Sequence, residues 1–244
     1  MAILFNGPNR GFMKFFRKKP NHGITFLRKF LRKISHSHLF GESYRRINTT
    51  EQLVALTFDD GPSEPYTNNL LEVLERHQVK ATFFMIGKNI EEYPDIAKAV
   101  LAQKHEVGNH SYSHTSLVFK SPSFVRAEIE KTDLLLQNIG VRGEIYFRSP
   151  FGAQLFSVPW VLLDKKKKNI LFNIVAGDWH TQDADIITQR VINQIKPGAI
   201  ILLHDGGKGS RFGTVKATDI IIRELKKRGF KFATISQLLA HSAR

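Results

Sequence analysis

The sequence predicts an α/β protein whose parallel sheet is closed, or nearly closed, into a barrel. Three observations support this fold class. From Leu53 onward, short apolar runs rich in β-branched residues alternate with stretches of helical periodicity. Two of those runs, at 170–176 and 199–204, are apolar almost throughout, which is typical of strands buried on both faces of a sheet. The length of 244 residues suits one α/β barrel.

Seven strands are predicted, and a helix or a long loop follows each of them. The strands are LVALTFD (53–59), ATFFMI (81–86), EVGN (106–109), IYFRS (145–149), ILFNIVA (170–176), AIILLH (199–204) and KFATI (231–235). Six helices are predicted between them, at 66–78, 89–103, 123–139, 158–166, 184–195 and 214–228. Gly or Pro separates many of these units, as at Gly61-Pro62 and Pro197-Gly198. Strands that alternate with helices in this way are typical of a parallel sheet.

The composition excludes several classes of protein. Hydrophobic residues make up 42% of the chain and charged residues 24%, which excludes collagen, a coiled coil and a wholly disordered chain. No apolar run is long enough to span a bilayer. The chain has no Cys, so a disulfide framework, a thiolate metal site and a Cys nucleophile are all excluded. Any metal must therefore bind His, Asp, Glu or backbone oxygens.

Positive charge is concentrated at the front of the chain. The net charge is +14, and residues 1–50 carry 11 Lys and Arg side chains against one acid, Glu42, which leaves only +4 for the other residues. We therefore predict a basic N-terminal segment, 1–50, and a domain, 51–244. The first residues show neither the apolar core nor the cleavage site of a secretory signal, so we expect the protein in the cytoplasm or at the periphery of a membrane.

The basic segment contains a predicted amphipathic helix. Within residues 12–34, the stretch TFLRKFLRKI places its apolar side chains on one helix face and its four basic side chains elsewhere. Such a helix can lie on an anionic membrane surface, or it can pack its apolar face against the domain. An organelle transit peptide is a further alternative, and nucleic acid is the least favoured partner.

Polar residues follow the predicted strands at the points where the strands end. They are Asp59, Asp60, His110, Arg148, Asp178 and His204. In a β/α barrel the catalytic groups converge on this face. Two adjacent carboxylates at such a face repel each other unless a cation holds one of them and a second partner stabilises the other. The simpler alternative for Asp59 or Asp60 is a helix N-cap after the turn.

Two of the candidate residues have the spacing of metal ligands. His110 and His114 are four residues apart, so one helical turn or a compact loop can direct both imidazoles at one ion. An isolated pair at this spacing is more often incidental, but a nearby carboxylate makes ligation the favoured interpretation. Two His and one Asp leave coordination positions open for water and substrate, which is typical of a catalytic metal site.

Five motifs occur in an order that resembles a known enzyme family. They are TFDDGP (57–62), HSYSH (110–114), RSPFG (148–152), DW (178–179) and ILLHD (201–205). This order is similar to that of the polysaccharide deacetylases with NodB homology, which are metal-dependent carbohydrate esterases, and the resemblance covers roughly residues 51–240. It implies a distorted (β/α)7 barrel. One position departs from the pattern, since the residue three before Asp178 is often acidic in the family and is Val175 here.

The resemblance implies roles for the polar residues. Asp60, His110 and His114 resemble the ligands of a divalent metal, for which we expect Zn²⁺. Asp59 resembles the general base, and Arg148 the cation that keeps it ionised and oriented. His204 resembles the general acid that protonates the leaving amine, and Asp178 its carboxylate partner.

The resemblance also implies substrate contacts. These are Pro150, Phe151, Trp179 and Leu202. The backbone N–H of Phe151 is the expected donor to the tetrahedral oxyanion. Leu202 shares a strand face with His204, and with Trp179 it is expected to form a small apolar pocket for the acetyl methyl group.

The implied activity is removal of N-acetyl groups from a GlcNAc-containing glycan, with release of acetate. Peptidoglycan, a chitooligosaccharide, an exopolysaccharide and a lipid-linked saccharide are the candidate substrates. Two alternatives stay open: an O-acetyl esterase for xylan-type substrates, and a catalytically silent barrel that binds a glycan or a membrane.

Overall fold

The computed structural model describes residues 42–152 and 155–242 of the chain. Over these residues the protein is an α/β fold built on a parallel sheet, as the sequence predicts. The predicted amphipathic helix within residues 12–34 lies outside the described residues. Among the helices that are described, none combines the length and the apolar character needed to cross a bilayer.

The elements follow one another in the predicted alternation. The strands are β1 (Ser43–Tyr44), β2 (Leu53–Asp59), β3 (Thr82–Met85), β4 (Glu106–Asn109), β5 (Asn169–Ile170), β6 (Ile174–Val175), β7 (Ala199–His204) and β8 (Lys231–Phe232). The helices are α1 (Tyr66–Arg76), α2 (Gly87–Glu92), α3 (Pro94–Ala102), α4 (Pro122–Asn138), α5 (Ser157–Asp164), α6 (Ala184–Ile192), α7 (Phe212–Lys227) and α8 (Ile235–Ala240).

Strand β2 is the centre of the sheet, and all seven of its residues are buried. It pairs along its length with β7 on one side. On the other side its carboxyl half pairs with β3, and its first two residues pair with β8. The strand order is β4-β3-β2-β7-β6, and every one of these pairings is parallel. Parallel pairing brings the carboxyl ends of the strands to one edge, where the site lies.

The barrel is distorted because two of the predicted strands pair only in part. Around 145–149, Phe147 makes isolated bridges to Asn109 and Asn169 instead of a ladder. The predicted strand 170–176 is divided into β5 and β6. At the end of β5, the Arg148 side chain donates hydrogen bonds to the carbonyl oxygens of Ile170 and Leu171, so these oxygens bond a side chain as well as lying next to the strand. Continuous ladders therefore do not close the ring of strands.

One helix and one strand end earlier than the sequence predicts. The single helix predicted at 89–103 is two helices, because Tyr93 precedes Pro94 and leaves the helical region. The strand predicted at 231–235 ends at Phe232, because Thr234 caps helix α8 in a reciprocal capping box with Gln237. A short α-helix therefore follows the last strand, where the sequence pattern alone predicted more strand.

The two faces of β2 and β7 pack in different clusters. Val54, Leu56 and Phe58 belong to the larger core, which the outer helices cover. Ala55 and Ile200 belong to a smaller cluster to which several strands contribute, the inside of the barrel. Because side chains alternate along a strand, the polar residues at the carboxyl ends of β2 and β7 also point to the inside.

Candidate metal and catalytic site

Strand pairing brings the polar strand ends together. In the β2–β7 ladder, Asp59 lies directly opposite His204. Strand β4 extends into His110, whose N–H donates to the carbonyl of Met85 at the end of β3. The N–H of Arg148 donates to the carbonyl of Asn109, the residue before His110. Neighbouring parallel strands lie about 4.8 Å apart, so these side chains share one cleft.

Asp60, His110 and His114 form a compact group of potential metal ligands. One ligand atom from each residue lies within 4.8 Å of the others. The Asp60 Oδ1 lies 3.1 Å from the Nε2 of His114 and 3.5 Å from the Nε2 of His110. This Oδ1 is buried and has no hydrogen-bond partner among the residues that the structure describes. A buried, unsatisfied carboxylate oxygen beside two imidazoles fits a divalent cation, which would supply the missing partner.

His110 is held in the form that a metal ligand requires. Its Nδ1–H donates a hydrogen bond of 2.8 Å to the carbonyl of Arg148, which directs Nε2 at Asp60. Burial lowers the pKa of His110 to about 3, an effect larger than the opposing charge of Asp60. The imidazole is therefore neutral near pH 7 and has a free lone pair on Nε2.

The loop 110–114 is shaped by residues for which no role was predicted. The side chain of Asn109 accepts a hydrogen bond from the N–H of Ser111, and the hydroxyl of Ser111 accepts one from the N–H of His114. Ser111 and His114 both have positive φ angles, of 64° and 54°. Glu128 on α4 accepts hydrogen bonds from the N–H groups of Tyr112 and Ser113 and from the Ser113 hydroxyl. Glu128 is buried, and its position on a distant helix gave no local signal.

The loop that carries Asp60 is fixed from two sides. Asp60 has a φ of 75°, and its carbonyl accepts a hydrogen bond of 2.7 Å from the side-chain amide of Asn89. The chain after β7 approaches so closely that a Cβ on Gly206 would lie 2.1 Å from the Asp60 carbonyl oxygen. Only glycine fits at this contact, so the TFDDGP and ILLHD motifs pack backbone to backbone.

Asp59 is paired with a fully buried arginine. The Nη1 of Arg148 donates to the Asp59 Oδ1 at 2.7 Å and to the hydroxyl of Thr57 at 2.8 Å. The guanidinium also lies 4.0 Å from the centre of the Phe84 ring. Burial raises the pKa of Asp59 above its ordinary value, and the charge of Arg148 opposes this shift without cancelling it. The second oxygen of Asp59 lies 3.6 Å from the Nε2 of His110, beside the group of potential ligands.

His204 and Asp178 form a second buried pair at the same edge of the sheet. The Nδ1–H of His204 donates to the Asp178 Oδ1 at 2.9 Å. The Oδ2 accepts from the His204 N–H and from the hydroxyl of Thr214. Burial by itself lowers the pKa of His204, but the hydrogen bond and charge of Asp178 outweigh it and the pKa is raised. Burial would raise the pKa of Asp178, and the bonds from His204 and Thr214 lower it instead.

The four predicted substrate contacts lie around these groups. The Phe151 ring is exposed and its centre lies 4.7 Å from that of His114, while the neighbouring Pro150 is buried. The Trp179 ring stands edge-on to His204 at 5.1 Å and is partly exposed. Leu202 is buried two residues before His204 on the same strand face. A partly exposed indole and a buried leucine therefore each lie near the His204 imidazole.

One further buried carboxylic acid lies behind the site. Asp205 accepts a hydrogen bond from the hydroxyl of Thr67, and the hydroxyl of Ser63 donates to its backbone carbonyl. Burial raises the pKa of Asp205 to about 7. Asp205 is the last residue of the motif ILLHD, but no role was predicted for it. Its contacts join the turn after β7 to the turn after β2, so it helps to hold His204 and Asp60 at a fixed separation.

A comparison with family models places this arrangement in a known context. The chain matches the model for polysaccharide deacetylases over residues 46–167. This range includes the Asp60, His110 and His114 group and ends before Asp178 and His204. The second pair is therefore recognised from the motifs and the geometry, and not from this match.

The chain is also similar to individual proteins. It is 35% identical to a peptidoglycan-N-acetylglucosamine deacetylase of Bacillus cereus over 189 residues, which cover 78% of this chain and 69% of that protein. A crystal structure of a peptidoglycan N-acetylglucosamine deacetylase in complex with a naphthyl-substituted N-hydroxybenzamide superposes with a TM-score of 0.78 at 33% identity, covering 82% of this chain and 94% of the other. A crystal structure of a CE4-family pseudoenzyme from Bacillus anthracis superposes with a TM-score of 0.76 at 30% identity, covering 83% of this chain and 70% of the other. Since a pseudoenzyme shares the fold, activity has to be argued from the side chains of the site.

Proposed function

The chain belongs to the polysaccharide deacetylase family, and from this premise we propose that it hydrolyses N-acetyl groups of a GlcNAc-containing glycan, releasing acetate and a free amine. Members of this carbohydrate esterase family depend on a metal, and the Asp60, His110 and His114 group agrees with that dependence. Peptidoglycan and related N-acetylated glycans are the substrate class. The acetamide bond is the bond that breaks.

One observation carries this function more than any other. The ion pair of Asp59 and Arg148 lies at the edge of the group of potential metal ligands, and the pair of His204 and Asp178 lies on the neighbouring strand. Amide hydrolysis requires a base that takes a proton from water and an acid that gives one to the amine. The cleft offers one candidate for each task, on adjacent strands.

The metal site has the donors of a catalytic zinc centre. Asp60, His110 and His114 are the residues that would hold the ion, and a set of one carboxylate and two imidazoles supports Zn²⁺. When bound, the cation polarises the acetamide carbonyl and lowers the pKa of water.

Asp59 acts as the general base in this proposal. Its Oδ1 is occupied by the guanidinium of Arg148, and its Oδ2 faces the ligand group, where it can accept a proton from the attacking water. The buried Arg148 orients the carboxylate and favours its ionised form. The raised pKa that burial gives Asp59 makes it a stronger base than an exposed carboxylate.

His204 acts as the general acid. Asp178 binds its Nδ1–H and raises its pKa, so the imidazolium is populated and its Nε2–H is directed away from the pair. This proton passes to the nitrogen of the leaving glucosamine as the carbon–nitrogen bond breaks. The amine is a poor leaving group without it, which is why an amide substrate needs this residue.

The apolar residues at the cleft position the acetyl group. Trp179 and Leu202 provide a wall for the methyl group beside His204, and the backbone N–H of Phe151 is the candidate donor to the oxyanion. Pro150 is buried beneath Phe151 and supports that turn. In this arrangement a larger acyl group would meet the indole of Trp179.

The test is acetate release from a panel of acetylated glycans, with metal analysis of the same preparation. We expect acetate and free amine from chitooligosaccharides and peptidoglycan fragments, loss of this activity with a chelator, and its recovery with Zn²⁺. Release of acetate only from O-acetylated xylan would assign the esterase alternative. A metal-loaded protein that is inactive on every substrate would identify a silent binding module.

A further inference from the structure

Three phenylalanines adopt a backbone conformation that bulky side chains avoid. Phe119, Phe151 and Phe156 have φ angles of 61°, 58° and 58°. Each ring is also largely exposed, at 80%, 71% and 61% of its residue surface. A positive φ on a bulky residue is unfavourable, and it persists only where the surroundings impose it. Phe151 lies at the catalytic cleft, but the proposed chemistry uses neither Phe119 nor Phe156.

Phe119 and Phe156 form one exposed cluster although 36 residues separate them in the chain. Their ring centres are 4.6 Å apart. The hydroxyl of Ser157 donates a hydrogen bond of 2.6 Å to the carbonyl of Lys120, which ties the two turns together. Phe124, on the first turn of α4, is partly exposed on the same side of this junction, with the Lys120 ammonium 5.3 Å from its ring centre.

Helix α5 extends this cluster along one of its faces. Trp160 and Leu163 are three residues apart and so are neighbours on one face of the helix, and Phe156 is the residue that precedes its first turn. Trp160 is 53% exposed and Leu163 is 48% exposed. The opposite face packs into the protein through Val158, Val161 and Leu162. A helix that is apolar on both faces is normally buried on both, and α5 is buried on one only.

Basic side chains surround this apolar row. The segments 119–126 and 156–168 together carry six Lys and Arg residues and a single acid, Asp164. That acid is paired with Arg126 at 2.7 Å, and the nearby Glu130 is paired with Lys165 at the same distance. Lys120 and Lys166 are exposed and flank the row from its two ends. The surface is therefore apolar in the middle and positive at the rim.

We propose that this surface, which we call the aromatic face and which comprises Phe119, Phe124, Phe156, Trp160 and Leu163, binds the surface of an anionic lipid bilayer. Aromatic rings favour the headgroup level of a bilayer, and exposed lysines are attracted by anionic lipids. This contact is separate from the predicted amphipathic helix of residues 12–34 and independent of the deacetylase activity. It uses two kinds of interaction at once, as stable peripheral binding requires.

The surroundings of the aromatic face favour a lipid over a glycan. A sugar-binding platform combines an aromatic ring with amide or carboxylate groups that bond the hydroxyls. Here the row includes the aliphatic Leu163, the rim carries ammonium groups, and the acids nearest to it are occupied in ion pairs. An anionic bilayer accommodates aliphatic as well as aromatic side chains, and it attracts positively charged side chains.

The test is co-sedimentation of the full chain with vesicles of phosphatidylcholine alone and of phosphatidylcholine with phosphatidylglycerol. The variant Phe119→Asn/Phe156→Asn/Trp160→Gln keeps residues that tolerate the positive φ angles and removes three rings. We expect its partition onto anionic vesicles to be at least about 10-fold weaker. The matched control is Ile186→Gln, an exposed apolar residue on α6, which should bind as the unmodified chain does.

Two further measurements distinguish binding through the aromatic face from binding through the N-terminal segment. The chain has two Trp residues, so in a Trp179→Phe background Trp160 is the single tryptophan, and brominated lipids should quench its emission. The variant Lys120→Gln/Lys166→Asn should weaken binding to anionic vesicles by about 5-fold per lysine and leave binding to neutral ones unchanged.

Three outcomes would overturn the proposal. Unchanged vesicle binding by the triple variant, with no quenching of Trp160, would assign any membrane binding to another part of the chain. Unchanged vesicle binding together with lost retention on insoluble peptidoglycan would make the aromatic face a glycan platform. A dimer that the triple variant converts to a monomer in sedimentation velocity would make it an interface between two copies of this chain.

Discussion

The two buried ion pairs of the cleft include residues of adjacent strands, Asp59 on β2 and His204 on β7, and they differ in how burial balances the charge of the partner. For Asp59 and Arg148, burial dominates and the pKa of the carboxyl is raised. For His204 and Asp178, the partner dominates, so the pKa of the imidazole is raised although burial alone would lower it. The first pair is called here the base side and the second the acid side.

The difference arises from how each partner shares its hydrogen bonds. Arg148 divides its donors among Asp59, the hydroxyl of Thr57 and two backbone carbonyls. Asp178 gives one oxygen to the His204 ring and the other to the His204 N–H and Thr214. Only one of the Arg148 hydrogen bonds reaches Asp59, and burial outweighs it, whereas both oxygens of Asp178 bond His204 and together outweigh burial. The cleft thereby holds, on adjacent strands, a carboxylate of increased basicity and an imidazole that stays protonated to higher pH.

The largest effect is expected on the base side. Asp59→Asn keeps the shape of the side chain but cannot accept a proton, so turnover should fall by about 10⁴-fold. The amount of bound metal should stay near that of the unmodified protein, because Asp60 and not Asp59 completes the ligand group. Acetate release with metal analysis checks both points. A variant that is inactive because it has lost its metal would show that the two acids have exchanged roles.

The next largest effect is expected from His204→Ala on the acid side. Without a donor to the leaving amine, turnover of an amide substrate should fall by about 10³-fold. His180→Ala removes an exposed imidazole that contacts the same Trp179 ring and should leave turnover unchanged. Steady-state kinetics on a chitooligosaccharide separates the two variants. Equal losses in both would point to disturbance of Trp179 and would remove His204 from the chemistry.

Asp178→Asn should have a smaller effect, with a pH signature. The raised pKa of His204 keeps the acid protonated as pH rises, so activity should be lost only as pH passes through that pKa, above the ordinary value of about 6.5. The amide of the variant no longer stabilises the imidazolium, so the alkaline limb of the profile should move to lower pH. Turnover near neutral pH should fall by about 10²-fold. An alkaline limb that does not move would show that another group sets it.

The smallest effect is expected from Glu128→Gln, which changes the support of the ligand loop and leaves both ion pairs intact. Glu128 holds the loop of His110 and His114 through three hydrogen bonds, so weaker loop geometry should lower metal affinity by about 10-fold. Titration against a competing chelator measures this. Glu130→Gln on the same helix removes an exposed ion-pair partner and should leave the affinity unchanged. Equal changes in both variants would indicate a general loss of helix charge.

The residues of the cleft also differ in how strongly the sequence alone predicted them. The adjacent acids Asp59 and Asp60, and the spaced pair His110 and His114, stand out locally because adjacent carboxylates repel each other and a nearby acid favours ligation by the two histidines. Arg148, Asp178 and His204 stood out only as polar endings of predicted strands and through the resemblance of their motifs. Glu128 and Asn109 were not predicted, because a buried acid or amide inside a helix or strand gives no local sign of the loop it will hold.

The strands likewise differ in how accurately the sequence predicted them. Strands β2 and β7 were predicted residue for residue, since long buried runs are unambiguous. The strands at 145–149 and 170–176 were predicted as continuous, but the first makes only isolated bridges at Phe147 and the second is divided where Arg148 bonds the carbonyls of Ile170 and Leu171. The exposure of Phe119, Phe156 and Trp160 could not be predicted from the sequence, because composition alone does not reveal which apolar side chains remain uncovered.

The sequence by itself determined the α/β class, the positions of the central strands along the chain and the chemical types of the residues at their ends. It could do so because periodicity and short motifs are local properties of the chain. The tertiary structure decided which side chain takes which partner, how burial and charge combine at each pair, and which apolar residues stay in water. Those outcomes depend on groups that are distant along the chain and adjacent only after folding, and the strength of each interaction is set by the water that folding removes.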